Sequence, residues 1–244
     1  MHSIPAPRIS VVIPALDEEA SLPGTIRSCR RAGIRDVVVA DGGSRDRTVG
    51  IAGELADMVV SAPRGRARQM NAGAAAARGE ILLFLHADTV LPPMGMAGIL
   101  EAMSDGDVVG GAFRVRLVPS PSAGAYTRAA LGITGRAIGL RSLLTRSYTG
   151  DQAMFVRAAA FRVWGGFPDI PLMEDVEMSR RMNLEGKTVL LPLEVGTSGR
   201  RWEAWGPART VLRMWRLRIG YLLGMTAEQC AERYRRGPSP LTRR

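Results

Sequence analysis

Residues 79–92 read GEILLFLHADTVLP and give the strongest fold signal in the chain. Residues 81–85 are all apolar, without the polar alternation of a half-exposed strand, so they predict a β-strand buried on both faces. The run stops at His86, and Asp88 follows two residues later. Ligands of open α/β sheets bind beyond the carboxyl ends of the strands, which makes Asp88 a candidate functional residue. Capping of a helix over residues 92–103 accounts for Asp88 equally well.

Three earlier segments repeat the pattern of an apolar strand followed by a helix. They are residues 9–14, 37–40 and 58–61. Alternating strands and helices predict an α/β domain with a doubly wound, mostly parallel sheet, whose strands end at one rim. Charged residues that follow the strand ends are therefore expected to share one crevice: Asp17 or Glu18, Asp41, Arg66 and Asp88.

Composition limits the class of protein. The chain has 244 residues, of which 46% are hydrophobic, enough for one large domain with a core. Its two cysteines, Cys29 and Cys230, are too few for a disulfide framework or a thiolate zinc site, which favours a reducing compartment. Residues 1–8 contain no apolar leader, and no stretch is long and apolar enough to cross a membrane, so a cytoplasmic location is expected.

Positive charge is concentrated near the C-terminus. Residues 199–244 hold 11 arginines against three glutamates and so carry +8 of the net charge of +10. A helical wheel puts several arginines on one face, opposite apolar residues such as Trp215, which predicts a basic amphipathic helix. These arginines are Arg209, Arg213 and Arg216. Such a surface attracts anions, whether membrane lipids, nucleic acid or phosphorylated substrates.

The order of motifs along the chain resembles the inverting, nucleotide-sugar-dependent glycosyltransferases of family 2, which have the GT-A fold. The resemblance covers residues 10–191 and is carried by VVIP at 11–14 with Glu18, DGGS at 41–44, Arg68 with Asn71, HAD at 86–88, GGF at 165–167 and Glu174 with Asp175. A narrower set is similar to a bacterial subgroup often associated with arsenosugar biosynthesis. That set is LHAD at 85–88, GDQ at 150–152, PLMED at 171–175 and RRW at 200–202.

The resemblance implies a division of the chain. A GT-A glycosyltransferase domain is expected over residues 1–198, with a nucleotide-sugar half over about 9–117 and an acceptor half over about 118–198. A basic amphipathic helical tail is expected over residues 199–236, and residues 237–244 are expected to be disordered. The fold class is thus α/β, with a GT-A-type sheet flanked by helices and a helical C-terminal tail.

The resemblance also implies a donor site for a nucleoside-diphosphate sugar of UDP or GDP type. The residues implied to bind it are Pro14, Ala15, Leu16, Glu18, Asp41, Arg66, Arg68, Asn71, His86, Ala87 and Asp88. Asp41 is expected to accept a hydrogen bond from the base. Arginines near the start of the third helix, Arg68 by preference, are expected to contact the diphosphate.

Two motifs depart from the family pattern. The family usually has Asp-Asp-Gly-Ser where this chain has Asp41-Gly42-Gly43-Ser44, and Asp-X-Asp where it has His86-Ala87-Asp88. One acid is missing from each. Asp88 is therefore expected to be the one charged metal ligand, with diphosphate oxygens completing the coordination of Mg²⁺ or Mn²⁺.

For catalysis, the resemblance implies that Asp175, beside Glu174, is the general base that deprotonates the acceptor hydroxyl. A turn before the helix would place Asp175 at a helix N-terminus, which favours the charged carboxylate that a base requires. The residues expected on the acceptor side are Asp151, Gln152, Arg201 and Trp202. Trp202 offers a face on which a sugar can stack, but core filling explains it equally well.

Two other functions compete with glycosyl transfer. A non-catalytic basic α/β protein would use the arginine-rich tail to bind a membrane surface or nucleic acid, but it leaves Asp41, Asp88 and Asp175 without a role. The tail carries no nucleic-acid motif, so no nucleic acid partner is expected, whereas a peripheral position on an anionic membrane is. A nucleotidyltransferase would need a glycine-rich arginine signature after the first strand, which residues 15–20 lack.

Overall fold

The computed structural model describes residues 8–236, so the predicted disorder of residues 237–244 lies outside the described residues. One eight-stranded sheet runs through the described part, built from β1 Ile9–Ala15, β2 Asp36–Asp41, β3 Met58–Ser61, β4 Ile81–Phe84, β5 Thr89–Val90, β6 Val108–Val118, β7 Met154–Arg157 and β8 Lys187–Ser198. The helices described there are α1 Leu22–Arg31, α2 Thr48–Leu55, α3 Arg66–Ala76, α4 Gly95–Met103, α5 Ala125–Thr145, α6 Ala158–Val163, α7 Glu174–Glu185, α8 Arg200–Trp205, α9 Pro207–Leu222 and α10 Ala227–Arg235.

The sheet has the order β3-β2-β1-β4-β7-β6-β8-β5. Strands β1 to β4 are parallel to one another, as are β6 and β8. Strand β7 runs antiparallel to both of its neighbours, and β5 runs antiparallel to β8 at the edge. The predicted mostly parallel sheet flanked by helices is confirmed. The carboxyl ends of β1, β2 and β4 lie at one rim, as the pattern of strands and helices predicted.

Both faces of the central strands are buried, which explains their uninterrupted apolar sequences. In β1, Val11 and Ile13 belong to a core cluster that also contains Leu22 and Ile26 of α1. Val12, between them, points to the opposite face and packs in a second cluster with Met70 of α3. The side chains of β4 alternate between the same two clusters. A helix layer on each side therefore holds the strand ends in fixed positions.

Helix α4 begins at Gly95, well after Asp88, and Met94 occupies its N-cap position without a side-chain hydrogen bond. Asp88 therefore does not cap this helix, so helix capping does not explain why an acidic residue occupies this position. Helix α5 occupies a segment whose conformation the sequence left open. It carries exposed apolar side chains, including Ile133, which is 66% exposed, and Leu140, which is 59% exposed.

The tail folds as α8, α9 and α10 and packs on the domain. Leu217 of α9 and Cys230 of α10 are buried in a cluster with Met173, and the Tyr221 hydroxyl donates a hydrogen bond to Glu177 at 2.9 Å. Trp215 is nevertheless 56% exposed. The helical wheel therefore identified an apolar face that the domain does not cover. Among residues 8–236, no helix combines the length and hydropathy that a membrane span requires.

Candidate active site

A cleft of about 290 Å³ opens where the carboxyl ends of β1 and β4 meet the end of β8. The side chains and backbone that line it are those of Pro14, Ala15, Leu16, Glu18, Arg66, Gln69, His86, Ala87, Asp88, Asp151, Thr197, Ser198, Arg200, Arg201 and Trp202. Most residues predicted for the donor site are among them, with three of the four predicted for the acceptor side. Trp202 both lines the cleft and packs against the core, so its two interpretations are compatible.

Gln69 on α3 is a cleft residue that the sequence did not indicate. Its amide nitrogen donates hydrogen bonds to the carbonyls of Ala15 at 2.7 Å and Ala40 at 3.0 Å, and the side chain is buried. Gln69 thereby joins the ends of β1 and β2. A Cβ atom at Gly42 would lie 2.9 Å from the Gln69 amide, so glycine in place of the usual second acid leaves room for this contact.

Glu18, Asp88 and Arg200 form the first charged group in the cleft, called the Arg200 cluster below. Arg200 Nη2 lies 3.2 Å from Asp88 Oδ2 and donates a short hydrogen bond to Glu18 Oε1. Both carboxylate side chains are 19% exposed, and Arg200 is 54% exposed. Partial burial lowers the pKa of Arg200, but the hydrogen bond and charge of Glu18 and the charge of Asp88 outweigh it and raise that pKa above its usual value.

The second group, called the Arg66 cluster, consists of Arg66, His86, Asp151, Glu174 and Asp175. His86 Nδ1 lies 3.1 Å from Asp151 Oδ1. Burial acts to raise the pKa of Asp151, but the hydrogen bond and charge of His86, with Arg66 and Arg201 nearby, lower it to about 2. The other imidazole nitrogen, Nε2, is buried without a hydrogen-bond partner in the described part of the chain.

Arg66 connects the cleft to Glu174, at the start of α7. Arg66 Nη1 lies 3.1 Å from Glu174 Oε1, and the Glu174 side chain is 3% exposed. Burial is the main cause that raises the pKa of Glu174, and the neighbouring Asp175 adds to it, while Arg66 opposes it. Burial also acts to lower the pKa of Arg66, but the charges of Glu174, Asp175 and Asp151 raise it.

Asp175 lies just behind the cleft. Its Oδ2 accepts a hydrogen bond from the backbone N–H of Gly150 at 2.9 Å. It lines a small cavity of about 10 Å³ that shares Arg66 and His86 with the cleft wall. Helix α7 starts at Glu174, so Asp175 occupies the first turn, where the backbone N–H groups favour a carboxylate.

Four residues predicted for the site make contacts elsewhere. The Asp41 carboxylate, at the end of β2, accepts hydrogen bonds from the Gly43 and Ser44 backbone and from the Ser44 hydroxyl at 2.5 Å. Arg68 pairs with Asp169 at 2.7 Å on the surface. Asn71 exchanges two hydrogen bonds with the Phe167 backbone. Gln152 is fully buried, where its amide donates to the Phe113 carbonyl.

The cleft offers few ligands of its own for a metal ion. Within residues 8–236, no group of three or more His, Cys, Asp or Glu side chains is placed to hold one. Asp88 does present a carboxylate to the cleft, with Glu18 joined to the same Arg200. Carboxylate oxygen is a suitable donor for Mg²⁺ or Mn²⁺. The residues therefore fit a divalent cation only if a bound ligand supplies most of its coordination.

Comparison with known proteins decides the family. Residues 10–163 match the family described as "Glycosyl transferase family 2". The chain belongs to glycosyl transferase family 2. The matched residues include β1 to β4 and therefore the Pro14, Glu18, Arg66 and His86 walls of the cleft.

Curated relatives of this family 2 chain match over less than half of its length. Undecaprenyl-phosphate 4-deoxy-4-formamido-L-arabinose transferase of Pseudomonas paraeruginosa is 33% identical in an alignment of 124 residues that covers 45% of this chain and 37% of that protein. The transferase of the same name from Pectobacterium atrosepticum is 33% identical in an alignment of 116 residues that covers 42% of this chain and 36% of that protein. The matches thus span little more than a third of each relative.

Solved structures confirm the GT-A-type fold of the family 2 chain. Glucosyl-3-phosphoglycerate synthase from Mycobacterium tuberculosis, in complex with Mn²⁺, UDP and phosphoglyceric acid, has a TM-score of 0.61 at 20% identity, over 92% of this chain and 78% of that one. S. aureus TarS 1–349 in complex with UDP has a TM-score of 0.58 at 16% identity, over 84% and 63% of the two chains.

Proposed function

We propose that this family 2 chain transfers a sugar from a nucleoside-diphosphate sugar, of UDP or GDP type, to an acceptor hydroxyl with inversion. The observation that carries the proposal is the cleft itself. It brings carboxylates and guanidinium groups together at the carboxyl ends of β1 and β4, where ligands of open α/β sheets bind. Structural neighbours of the same fold are complexes with UDP, which supports a donor of this class.

The donor diphosphate requires positive charge as it leaves. Arg66 and Arg200 line the cleft, and guanidinium groups are well suited to phosphate oxygens. Asp88 would hold a Mg²⁺ or Mn²⁺ ion, and that ion would supply Lewis-acid stabilisation of the departing diphosphate. Since Asp88 already neighbours Arg200, guanidinium and metal compete for one carboxylate in this site.

We assign the general base to Asp175, with Glu174 holding Arg66 beside it. In the step, Asp175 takes the proton of the acceptor hydroxyl, the acceptor oxygen bonds to the anomeric carbon, and the bond from that carbon to the diphosphate breaks. Asp151 is a second carboxylate at the cleft. It is already paired with His86 Nδ1 at 3.1 Å, and this pairing is the reason that Asp175 is preferred as the base.

Two observations support a proposal for the acceptor: the substrate in the relatives' names and the exposed apolar surface of α5 and α9. The Pseudomonas and Pectobacterium relatives are named for undecaprenyl phosphate, and from that name we carry over only the location, an acceptor presented at a membrane. Exposed apolar side chains on α5 and α9, among arginines, support a peripheral position on an anionic membrane, reached from the cytoplasm. The narrower likeness to the arsenosugar subgroup stays a prediction.

The test uses the full chain and a panel of nucleotide sugars. Donor binding is measured by calorimetry with UDP and GDP in the presence of Mn²⁺, and turnover by release of the nucleotide. Asp175→Asn is expected to reduce turnover by roughly 10²- to 10⁴-fold, while donor affinity stays within about threefold.

Asp151→Asn is the matched comparison for the base. If Asp151→Asn abolishes turnover and Asp175→Asn does not, the base is assigned to the wrong carboxylate. If the chain binds neither UDP nor GDP with Mn²⁺, the transferase proposal fails and the non-catalytic alternative replaces it.

A further inference from the structure

A second depression, of about 450 Å³, lies among the helices of the tail and is distinct from the active-site cleft. It is called the tail groove here and is lined by Trp205, Arg209, Thr210, Leu212, Arg213, Arg216, Leu217 and Arg233. Four of these eight residues are arginines, and no acidic side chain lines the groove in the part of the chain that is described. None of the four forms an ion pair with a carboxylate of residues 8–236.

Aromatic side chains hold one of these arginines in place. The Arg213 guanidinium carbon lies 5.2 Å from the centre of the Trp205 ring and 5.9 Å from that of the Tyr234 ring. The two rings contact each other edge to face, with centroids 5.4 Å apart, and Arg213 donates a hydrogen bond to the Arg233 carbonyl. Cation–π contacts of this kind fix the position of a guanidinium group before any ligand arrives.

An indole donor adds to the four guanidinium groups. The Nε1–H of Trp205 is buried and has no hydrogen-bond partner among residues 8–236. Buried donors are normally satisfied, and Trp205 is one of the residues that line the groove, so this donor still has capacity for one acceptor. Phosphate oxygens accept from both arginine and indole N–H groups, and arginine binds them at two points at once.

The apolar part of the groove limits the kind of phosphate. Leu217 is buried at the groove wall, whereas Leu212 is 52% exposed. Beyond the groove, the same helix presents Ile219 and Leu222 to solvent. A free inorganic ion would leave this apolar surface uncovered, but an ester with an aliphatic substituent would cover it.

We propose that the tail groove binds a phosphate ester that carries an aliphatic group. The ester is either the headgroup of an anionic lipid in a membrane or a soluble phosphate of the same chemistry. Contacts join the groove to the cleft: Arg201 lines the cleft and donates to the Tyr234 hydroxyl at 2.8 Å, and the Tyr234 ring contacts Trp205 of the groove. The groove is an anion site separate from the donor site, and it does not depend on the transfer reaction.

The test compares two variants of equal charge in the full-length chain. Arg209→Gln with Arg216→Gln removes two guanidinium groups from the groove, while Arg213 stays to hold Trp205 and Tyr234 together. Arg162→Gln with Arg235→Gln is the control, since both of these residues are exposed and neither lines the groove. Far-UV circular dichroism and UDP affinity establish that each variant retains its fold and its donor site.

Two probes distinguish the sources of the phosphate. The first probe is phosphatidylcholine vesicles, prepared with and without roughly 20 mol% dioleoyl phosphatidic acid. The second probe is soluble dihexanoyl phosphatidic acid, titrated by calorimetry. The groove variant is expected to bind roughly tenfold more weakly than wild type, and the control to stay within about twofold.

Loss of binding to both probes in the groove variant supports a phosphate site of either origin, and loss confined to vesicles supports a lipid headgroup. Equal losses in groove variant and control would show general attraction to the protein's positive charge and would overturn the proposal. A groove variant that binds the probes with wild-type affinity would also overturn the proposal. Because UDP affinity is measured in the same samples, failure of this site is distinguishable from failure of the transferase proposal.

Discussion

The two charged clusters of the cleft differ in their exposure to water. In the Arg200 cluster, Glu18 and Asp88 are each 19% exposed and their shared guanidinium is 54% exposed. In the Arg66 cluster, Glu174 is only 3% exposed, although Arg66 itself is 37% exposed. Ion pairs that water reaches are weak and exchange readily with ligands, whereas a buried carboxylate that loses its partner is costly.

From this difference we infer separate tasks for the clusters in the proposed reaction. The Arg200 cluster holds its carboxylates loosely, which suits groups that must turn from one another towards a cation or a diphosphate. The Arg66 cluster is tied to α7 through Glu174 and to the 3-10 turn Gly150–Gln152 through Asp151 and the Gly150 backbone. It suits groups whose geometry must stay fixed while a proton moves.

Removal of the buried carboxylate is the most severe test of this comparison. We expect Glu174→Ala to lower the free energy of unfolding by about 2 kcal/mol, because Arg66 then loses its buried partner; the value lies below that of a fully buried pair since Arg66 is partly solvated. Urea titration followed by circular dichroism measures it. Glu18→Ala, the counterpart in the open cluster, should cost less than about 1 kcal/mol. Equal losses would remove the distinction between the clusters.

The next test opens the Arg200 cluster. We expect Arg200→Gln to raise the apparent affinity for Mn²⁺ roughly threefold to tenfold, because the guanidinium 3.2 Å from Asp88 no longer competes for that carboxylate. Electron paramagnetic resonance of free Mn²⁺, at fixed ionic strength and without nucleotide, gives the affinity directly. Arg201→Gln is the control, since Arg201 contacts Tyr234 instead of these acids. Weaker Mn²⁺ binding by Arg200→Gln would mean that Asp88 is not the metal ligand.

Acidic pH provides a smaller test of the Arg66 cluster. The folded-state pKa of Asp151 is lowered from 3.8 to about 2, so this group stabilises the fold above pH 3.8 and loses that contribution as pH falls towards 2. Asp151→Asn should therefore flatten the acid side of the stability profile by at most about 1 kcal/mol, because the carboxylate is 38% exposed.

Urea titrations from pH 5 to pH 2.5, at intervals of about half a unit, make that comparison for wild type and Asp151→Asn. Asp169→Asn, which alters an exposed acid on the surface, serves as the control. An acid limb that is unchanged in Asp151→Asn would show that His86 does not hold this carboxylate in its charged form.

The sequence predicted the strand ends well and the distant contacts poorly. Strands β1 and β4 are uninterrupted apolar runs, so the positions of Glu18 and Asp88 follow from the rule that ligands bind beyond parallel strands. Arg200 lies more than a hundred residues away from both acids, and no local pattern reports such a pairing. Gln69 was missed for the same reason.

Helix α5 shows a different cause of failure. Its exposed face carries Ile133 and Leu140, while Gly135 and Gly139 are among the residues that face inward. Apolar residues on both faces remove the periodicity that identifies an amphipathic helix, so the sequence alone does not assign a conformation to this segment. The same exposed apolar face is the one proposed above to contact a membrane, so the ambiguity of the sequence and the proposed role have one origin.

Arg68 and Asn71 lie on the same face of α3, as expected, but this spacing does not establish that they bind the diphosphate. The two residues lie one turn apart on α3, as predicted, but they contact the segment from Phe167 to Asp169. Arg68 is 51% exposed in its pair with Asp169. Helix spacing identifies residues that share a face, but it does not report what that face packs against.

The smallest expected effect therefore concerns Arg68. Arg68→Gln should change UDP affinity by less than about twofold, since its guanidinium is on the surface with Asp169, outside the residues that line the cleft. Arg66→Gln should weaken UDP binding by roughly tenfold, because that guanidinium lines the cleft. Calorimetry with UDP and Mn²⁺ measures both. An equal loss in the two variants would mean that Arg68 leaves Asp169 for the diphosphate. The start of α3 would then move when the donor binds, and the Arg66 cluster could not be described as fixed.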